Sequence, residues 1–368
     1  MSFSLLIKPA GPDCNLNCKY CFYACKHKLF GDKAHRMSEE IAERLISDFL
    51  SQGFINNSFA WQGGEPALMG LDFYKRVVEF QKKYSKNGIV ISNSFQTNAT
   101  LLNASWCKFF NEFNFLLGIS LDGPKKFHDY YRNDYSGGPT FDKVMNAIEL
   151  CRQNKVEFNI IVLLNNQNVK YPDELFDFFM ENKFQYLQFI PCVEKDPITG
   201  KIADYSINGT EYGNFMCRIF ERWREFGVTK LSIRLFDSIL NYFVYGSHTN
   251  CTFQRKCDDY IVIEHNGNAY CCDFFVDEDT RLGNIVQTPI YELFNNPIKQ
   301  DFANRKKQLC NKCFVCHYSE LCMGGCLKDR IVLDRNFANQ NYLCDGYKMI
   351  FEKIAPQLAS IAADFLHK

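Results

Sequence analysis

The chain reads as an α/β protein, an open and partial parallel barrel of six βα units followed by a small cysteine-rich domain. Two observations predict this. Six short apolar or β-branched runs alternate with amphipathic helical patterns as far as Tyr245, and such alternation gives a parallel sheet with right-handed crossovers. Beyond Tyr245 the periodicity lapses, and ten cysteines fall among Gly-Asn turns before a last helical pattern after Asp345. Six units are too few for a closed eight-fold barrel, which typically takes about 250 residues.

The predicted strands are Ser4–Pro9, Ser58–Gln62, Ile89–Gln96, Leu116–Leu121, Val156–Leu164 and Tyr186–Ile190, each short, apolar or β-branched and followed by a helical pattern. The helix after Pro139 illustrates the second half of a unit: Thr140 is placed to cap it, and Phe141, Val144, Ala147, Ile148 and Cys151 recur on one face. The expected divisions are 1–235 for the barrel, 236–345 for the cysteine-rich domain and 346–368 for a C-terminal helix. No long linker, low-complexity tract or repeat other than the βα unit interrupts this plan.

Composition narrows the function classes. At 368 residues the chain can bury a barrel-sized core and keep about a hundred residues for a second unit. The first apolar stretch, Phe3 to Ile7, is too short for a secretory signal and runs into Lys8-Pro9, so the clustered cysteines among the 18 read as metal ligands of a cytoplasmic protein and not as disulfides. No apolar run approaches the roughly 20 residues of a membrane span. Lys plus Arg equals Asp plus Glu at 42 each, which gives no global electrostatic attraction to nucleic acid.

The chemistry is carried first by Cys14, Cys18 and Cys21, spaced C-x3-C-x2-C. Three thiolates on one loop can hold three irons of a [4Fe–4S] cube and leave the fourth open to a small molecule. The spacing alone also suits other metals, but Gly63-Gly64-Glu65-Pro66 follows it at the end of the second strand. Together the two motifs resemble the radical S-adenosylmethionine (SAM) enzymes, which cleave SAM at the open iron to a 5′-deoxyadenosyl radical. In that family the GGEP turn meets the SAM amino group, and glycine is needed for the close approach.

The second cysteine set resembles the SPASM domain found behind peptide-modifying radical SAM enzymes. Cys257 precedes Gly267-x4-Cys272, the run Cys313-x2-Cys316-x5-Cys322-x3-Cys326 follows, and Cys344 closes the pattern. The resemblance implies two auxiliary [4Fe–4S] clusters, one on Cys251, Cys257, Cys272 and Cys326 and the other on Cys313, Cys316, Cys322 and Cys344. With the first triplet this makes three clusters. Cys310-x2-Cys313-x2-Cys316 also reads as a ferredoxin-like run, so the register can slip by one with Cys310 as ligand; the spacing favours Cys310 and Cys271 as bystanders. Cys25, Cys107, Cys151, Cys192 and Cys217 fit no pattern and read as small buried hydrophobes.

Across nearly the whole chain the sequence is similar to the anaerobic sulfatase-maturating enzymes. The segments Ser4-Leu5-Leu6-Ile7-Lys8-Pro9, Cys21-Phe22-Tyr23, Gln62 through Pro66, Gln96-Thr97-Asn98, Ser120-Leu121-Asp122-Gly123-Pro124, Leu187-Gln188-Phe189-Ile190 and Cys272-Asp273-Phe274 carry the likeness. It implies oxidation of a cysteine or serine in a sulfatase to Cα-formylglycine, started by abstraction of a Cβ hydrogen. Asp273, directly after a cluster ligand, matches the family's base and would take the heteroatom proton. Tyr20 would lie against the adenine of SAM, Gly64 would meet its amino group, Ser120 and Arg132 would hold ribose and carboxylate, and Val193 would pack on the adenine. Tyr23 and Gln62 are placed to line a peptide channel. The implied partners are a sulfatase segment of the form Cys/Ser-x-Pro/Ala-x-Arg and an electron donor such as flavodoxin or ferredoxin.

Two departures bear on the channel: Trp61 stands before Gln62 where a smaller aromatic is usual, and the residues between Glu194 and Asn208 have no clear counterpart. A SPASM maturase that forms thioether or carbon–carbon cross-links in a ribosomal peptide is a second reading; such enzymes often begin with a peptide-recognition domain, for which a first strand at Ser4 leaves no room. A non-catalytic iron–sulfur electron carrier is a third, and it would need neither the open-iron triplet nor GGEP.

Overall fold

The computed structural model describes residues 3–31, 33–196 and 198–366; of the expected C-terminal helix, positions 367 and 368 lie outside the described residues. All six predicted strands form, as β1 (Ser4–Lys8), β2 (Asn56–Trp61), β3 (Val90–Thr97), β4 (Leu116–Ser120), β5 (Phe158–Leu164) and β6 (Tyr186–Pro191). Four more were not predicted: β7 (Ser232–Ile233), β8 (Tyr260–Glu264), β9 (Asn268–Tyr270) and β10 (Arg281–Asn284). The chain divides into two compact units that do not follow sequence order: residues 1–120, 129–158 and 258–303 make the first, and residues 121–128, 159–257 and 304–368 make the second.

In the first unit the strand order is β10-β9-β8-β1-β2-β3-β4. Pairing is parallel from β8 to β4, with Leu5 opposite Phe59 and Ile7 opposite Trp61, while β9 and β10 return antiparallel. Ile261, Val262 and Ile263 are fully buried, as a strand covered on both faces requires. Gly267, at φ +82°, makes the tight β8–β9 connection that a side chain would strain. The helix Glu39–Ser51 starts at Ser38, whose side chain accepts from the Ile41 N–H, and buries Ala42, Leu45, Ile46, Phe49 and Leu50. Helix Phe141–Gln153 buries Val144, Ala147, Ile148 and Cys151 as its periodicity predicts, but Thr140 does not cap it. The Thr140 hydroxyl donates instead to the Arg132 carbonyl at 2.6 Å, and Asp129 Oδ1 accepts from the Thr140 and Phe141 N–H groups at 2.9 and 2.8 Å. A carboxylate beside a helix start is the stronger acceptor, and a second aspartate eleven residues upstream carries no local signal.

The second unit holds parallel strands β5-β6-β7, with Ile160 opposite Leu187 and Tyr186 opposite Ser232. Helix Gly209–Phe226 begins with a capping box between Asn208 and Glu211. It crosses helix Cys344–Leu366 at glycine contact: a Cβ on Gly346 would stand 2.1 Å from the Gly209 carbonyl oxygen. Helix Arg234–Tyr245 ends on Gly246 in the left-handed conformation, and the chain returns through His248, which stacks on Tyr242 at 4.8 Å. Trp61, marked above as a departure, is a core residue of the first unit, fully buried with its indole N–H on Asn93 Oδ1 at 2.9 Å. Among the described residues no helix is long and apolar enough to cross a membrane.

Candidate active site

The cysteine triplet leaves β1 on a loop that the GGEP turn grips through its backbone. Gly64 N–H donates to the Gly11 carbonyl at 2.8 Å and Glu65 N–H to the Asp13 carbonyl at 2.7 Å. The need for glycine is met before any ligand is considered, since a Cβ on Gly64 would lie 1.9 Å from Asp13 O. Glu65 is fully buried. Its carboxylate accepts from Ala67 N–H at 3.0 Å, Thr97 Oγ1 at 2.8 Å and Asn98 N–H at 2.8 Å, while burial still pushes its pKa up to about 7. The turn thus ties the triplet loop to the end of β3, where Asn98 Nδ2 reaches Asn15 Oδ1 at 2.9 Å and approaches Cys14 Sγ at 3.6 Å.

The donor sets suit iron–sulfur clusters. Burial, then the nearby charges of Glu65, Cys18 and Cys21, raise the Cys14 thiol to about 12; a cation among the sulfurs is what such thiols need to ionise. In the second unit Cys313, Cys316, Cys322 and Cys344 line one cavity. Burial lifts Cys322 to about 11 and Cys326 to about 12. Two buried cations lie among these thiols: the charges of Cys257, Cys326 and Cys251 act on Lys306, and those of Cys313, Cys322, Cys257 and Cys326 on Arg330. A cube with four thiolates is anionic, so buried cations beside it complete a charge balance that neutral thiols would leave open. Arg330 also donates to the carbonyls of Met323 at 2.6 Å, Gln308 at 2.8 Å, Gly324 at 2.9 Å and Lys306 at 3.1 Å. Cys310 Sγ stands 3.3 Å from Cys313 Sγ, outside the cavity lining, so the alternative register keeps a sulfur close at hand. Cys271 is buried, with its thiol on the Ile298 carbonyl at 3.9 Å. Of the unpatterned cysteines, Cys107, Cys151, Cys192 and Cys217 are buried as expected, whereas Cys25 is exposed on a short helical turn.

Asp273 sits after β9 in the first unit, 8% exposed, with both oxygens engaged. Tyr260 Oη donates to Oδ1 at 3.0 Å and Gln62 Nε2 to Oδ2 at 3.3 Å, and the same Tyr260 Oη lies 3.3 Å from Cys272 Sγ. Lys8 was missed by sequence reading except as the end of a strand. It is fully buried opposite Glu264, its Nζ 3.9 Å above the Tyr23 ring centre. Burial pulls its pKa down against the charges of Asp273, Glu264, Cys21 and Cys272. One ammonium is therefore in reach of a triplet cysteine, an auxiliary cysteine and the expected base. Tyr23 is 2% exposed, its hydroxyl donates to Glu264 Oε1, and burial with Glu264 holds it well above the usual phenol range.

Of the expected SAM contacts, Tyr20 and Arg132 come together, the guanidinium carbon 5.4 Å from the ring centre. Ser120 ends β4 and Gly64 lies in the turn described above. Val193 follows β6 in the second unit, buried, with its carbonyl accepting from Lys328 Nζ at 2.6 Å.

An open α/β sheet with a three-thiol loop clamped by GGEP, and a cysteine-lined second set, defines a radical SAM enzyme with an auxiliary iron–sulfur domain. Residues 9–179 match the radical SAM superfamily and residues 251–317 the SPASM iron–sulfur cluster-binding domain. The chain is 38% identical over 368 residues to the cysteine-type anaerobic sulfatase-maturating enzyme of Clostridium perfringens, spanning 98% of each. It is 37% identical over 382 residues to the serine-type enzyme of Bacteroides thetaiotaomicron, spanning 99% of this chain and 91% of that one. The solved structure of native anSMEcpe with bound AdoMet and Cp18Cys peptide matches at a TM-score of 0.91 and 36% identity over 98% of this chain and 99% of that one. SuiB of Streptococcus suis, bound to precursor peptide SuiA, shares the fold at a TM-score of 0.67 and 17% identity, over 94% of this chain and 76% of SuiB. The chain belongs to the anaerobic sulfatase-maturating enzymes. It is an oxidoreductase that uses SAM and [4Fe–4S] clusters, and a sulfatase is its substrate.

Proposed function

We propose that this enzyme oxidises the Cβ of a cysteine or serine in a sulfatase segment of the form Cys/Ser-x-Pro/Ala-x-Arg to Cα-formylglycine, with Asp273 as the base. Cys14, Cys18 and Cys21 would hold the SAM-binding cluster; Cys251, Cys257, Cys272 and Cys326 would hold one auxiliary cluster, and Cys313, Cys316, Cys322 and Cys344 the other. Bound there, these groups supply a 5′-deoxyadenosyl radical that takes a Cβ hydrogen and an acceptor for one further electron. The observation that carries the reading is the Asp273 carboxylate, aimed by Tyr260 and Gln62 beside Cys272 and within the field of Lys8.

The chain's own part is to orient and to move a proton. Loss of a Cβ hydrogen and one electron leaves the heteroatom with a proton to shed, and Asp273 accepts it. Gln62 and Tyr260 fix both oxygens, so the carboxylate has no rotation to lose when the substrate arrives. Lys8, buried nearby, feels the charge of this carboxylate. Water then converts thioaldehyde to aldehyde when the substrate is cysteine; serine yields the aldehyde directly. Tyr20 and Arg132 together are suited to the adenine and carboxylate of SAM, with Ser120, Gly64 and Val193 as its further contacts. The reaction is placed in the cytoplasm, with a flavodoxin or ferredoxin as donor, and requires neither membrane nor nucleic acid.

The test is direct. Anaerobically loaded enzyme, SAM and a reductant are incubated with a peptide containing Cys-x-Pro-x-Arg and with its serine counterpart, and the products are read by mass spectrometry. Formylglycine in either peptide is the expected result; 5′-deoxyadenosine with both peptides unchanged would assign the radical to another substrate.

A further inference from the structure

The second unit turns two large apolar side chains outward from the middle of its cysteine run. Phe314 is 72% and Val315 88% exposed, and among the described residues no other two consecutive large apolar side chains are both exposed. Single exposed apolar residues are ordinary, whereas an adjoining pair calls for a reason. The backbone holds this pair where it is. Cys313 N–H donates to the Cys310 carbonyl at 2.8 Å, Cys316 N–H to the Cys313 carbonyl at 3.2 Å and Ser319 N–H to the Cys316 carbonyl at 3.1 Å. These successive turns let Cys313 and Cys316 line the cavity shared with Cys322 and Cys344, while the two side chains between them stay outside.

The charge around the pair has one sign. Between Asn304 and Cys322 the chain carries Arg305, Lys306, Lys307 and Lys312 against one acid, Glu320. Lys307 and Lys312 are exposed, and Glu320 is already paired with Arg255 at 2.6 Å. The whole chain is balanced at 42 charges of each sign, so the excess belongs to this segment. An apolar centre in a basic segment is complementary to a protein surface whose own apolar centre is ringed by acids. Its position adds a function, because Phe314 and Val315 are the two residues between two cysteines assigned above to one auxiliary cluster.

We propose that Phe314 and Val315, with Lys307 and Lys312 of the same segment, form the docking surface for an acidic one-electron carrier protein of the flavodoxin or ferredoxin kind. The assignment rests on Cys313 and Cys316 being cluster ligands. In the docked complex the reduced carrier is oxidised by one electron and the group held by these cysteines is reduced by one; no bond forms and no proton moves. A small apolar centre with a charged surround suits such traffic, since electron-transfer complexes bury little surface, under about 1,200 Å², and charge steers their encounter.

A bacterial flavodoxin is the probe, oxidised for affinity and reduced for turnover. Its Kd for anaerobically loaded enzyme is measured by titration calorimetry at low and at physiological salt, and 5′-deoxyadenosine is followed with flavodoxin and, separately, with dithionite as reductant. Binding should weaken as salt rises. Val315→Glu and, separately, Lys307→Glu should each raise the Kd about tenfold or more, because each sets an acid against an acidic partner. Flavodoxin-driven SAM cleavage should slow in step, with iron content and dithionite-driven cleavage unchanged. Both side chains are exposed, where substitutions cost little stability. No binding of flavodoxin at about 100 μM, or unchanged affinity in both variants, would overturn the docking surface. Weaker binding of the sulfatase peptide with flavodoxin affinity intact would overturn it as well and make the pair a substrate contact. Loss of formylglycine under dithionite in the unaltered enzyme would count against the proposed reaction instead, and the flavodoxin Kd would still decide the surface.

Discussion

Both oxygens of Asp273 are engaged, by Tyr260 at 3.0 Å and Gln62 at 3.3 Å, and Asp273→Asn preserves the shape while removing the ability to take a proton. Formylglycine yield should fall by about 10² or more, the usual contribution of a general base, while SAM cleavage falls much less. Equal loss of both activities would make Asp273 a structural residue. Gly64→Ala acts elsewhere, since its methyl would enter the Asp13 carbonyl at 1.9 Å and displace the loop ahead of Cys14. Iron per chain should drop from about twelve to about eight, the difference of one cube, and 5′-deoxyadenosine formation should stop. Asp273 was legible because it abuts a patterned cysteine. Lys8 was not, because its partner Glu264 is set by a β1–β8 register between residues 256 positions apart. The glycine of GGEP was legible too, although its first obligation is to backbone rather than to a ligand.

At the scale of elements, two joints control the cysteine-bearing segments of the second unit. Helices Gly209–Phe226 and Cys344–Leu366 meet where a Cβ on Gly346 would lie 2.1 Å from Gly209 O. Gly346→Ala must push the second helix away and carry Cys344 with it, so we expect loss of about four irons with SAM cleavage retained; full iron content would show that the helix can slide without consequence. The other joint is His248, which is buried against Tyr242 and has its Nδ1 3.2 Å from Ser238 Oγ, just ahead of Cys251. Burial drives its pKa down to about 4, whereas an unfolded histidine titrates near 6.5. The folded value is the lower one, so this stability is present above about pH 6.5 and is lost as pH falls toward 4. Between about pH 7.5 and 5.5 the melting temperature of loaded protein should fall more steeply than that of His248→Asn; parallel slopes would remove His248 as the titrating group. The six βα strands were readable from their alternation, while β7 to β10 were not. They are only two to five residues long and are followed by turns and not by helical patterns of the βα kind, so they carry too little periodicity, and β8 is held in place by pairing with β1.

For the molecule as a whole, each compact unit carries its own thiols, Cys14, Cys18, Cys21 and Cys272 in the first and the remaining patterned cysteines in the second. Replacing Cys14, Cys18 and Cys21 together by alanine should abolish SAM cleavage and leave about eight irons per chain. Persistent 5′-deoxyadenosine in that variant would relocate the SAM site. The equal count of 42 cationic and 42 anionic residues hides a local arrangement that no composition reveals, with Lys8, Lys306 and Arg330 buried among sulfurs and acids.

Arg330 gathers backbone from Lys306, Gln308, Met323 and Gly324 around one guanidinium, much as a zinc ion gathers a finger. It joins the backbone just before Cys310 to the turn between Cys322 and Cys326, so one side chain governs the spacing of the whole cysteine run from both of its ends.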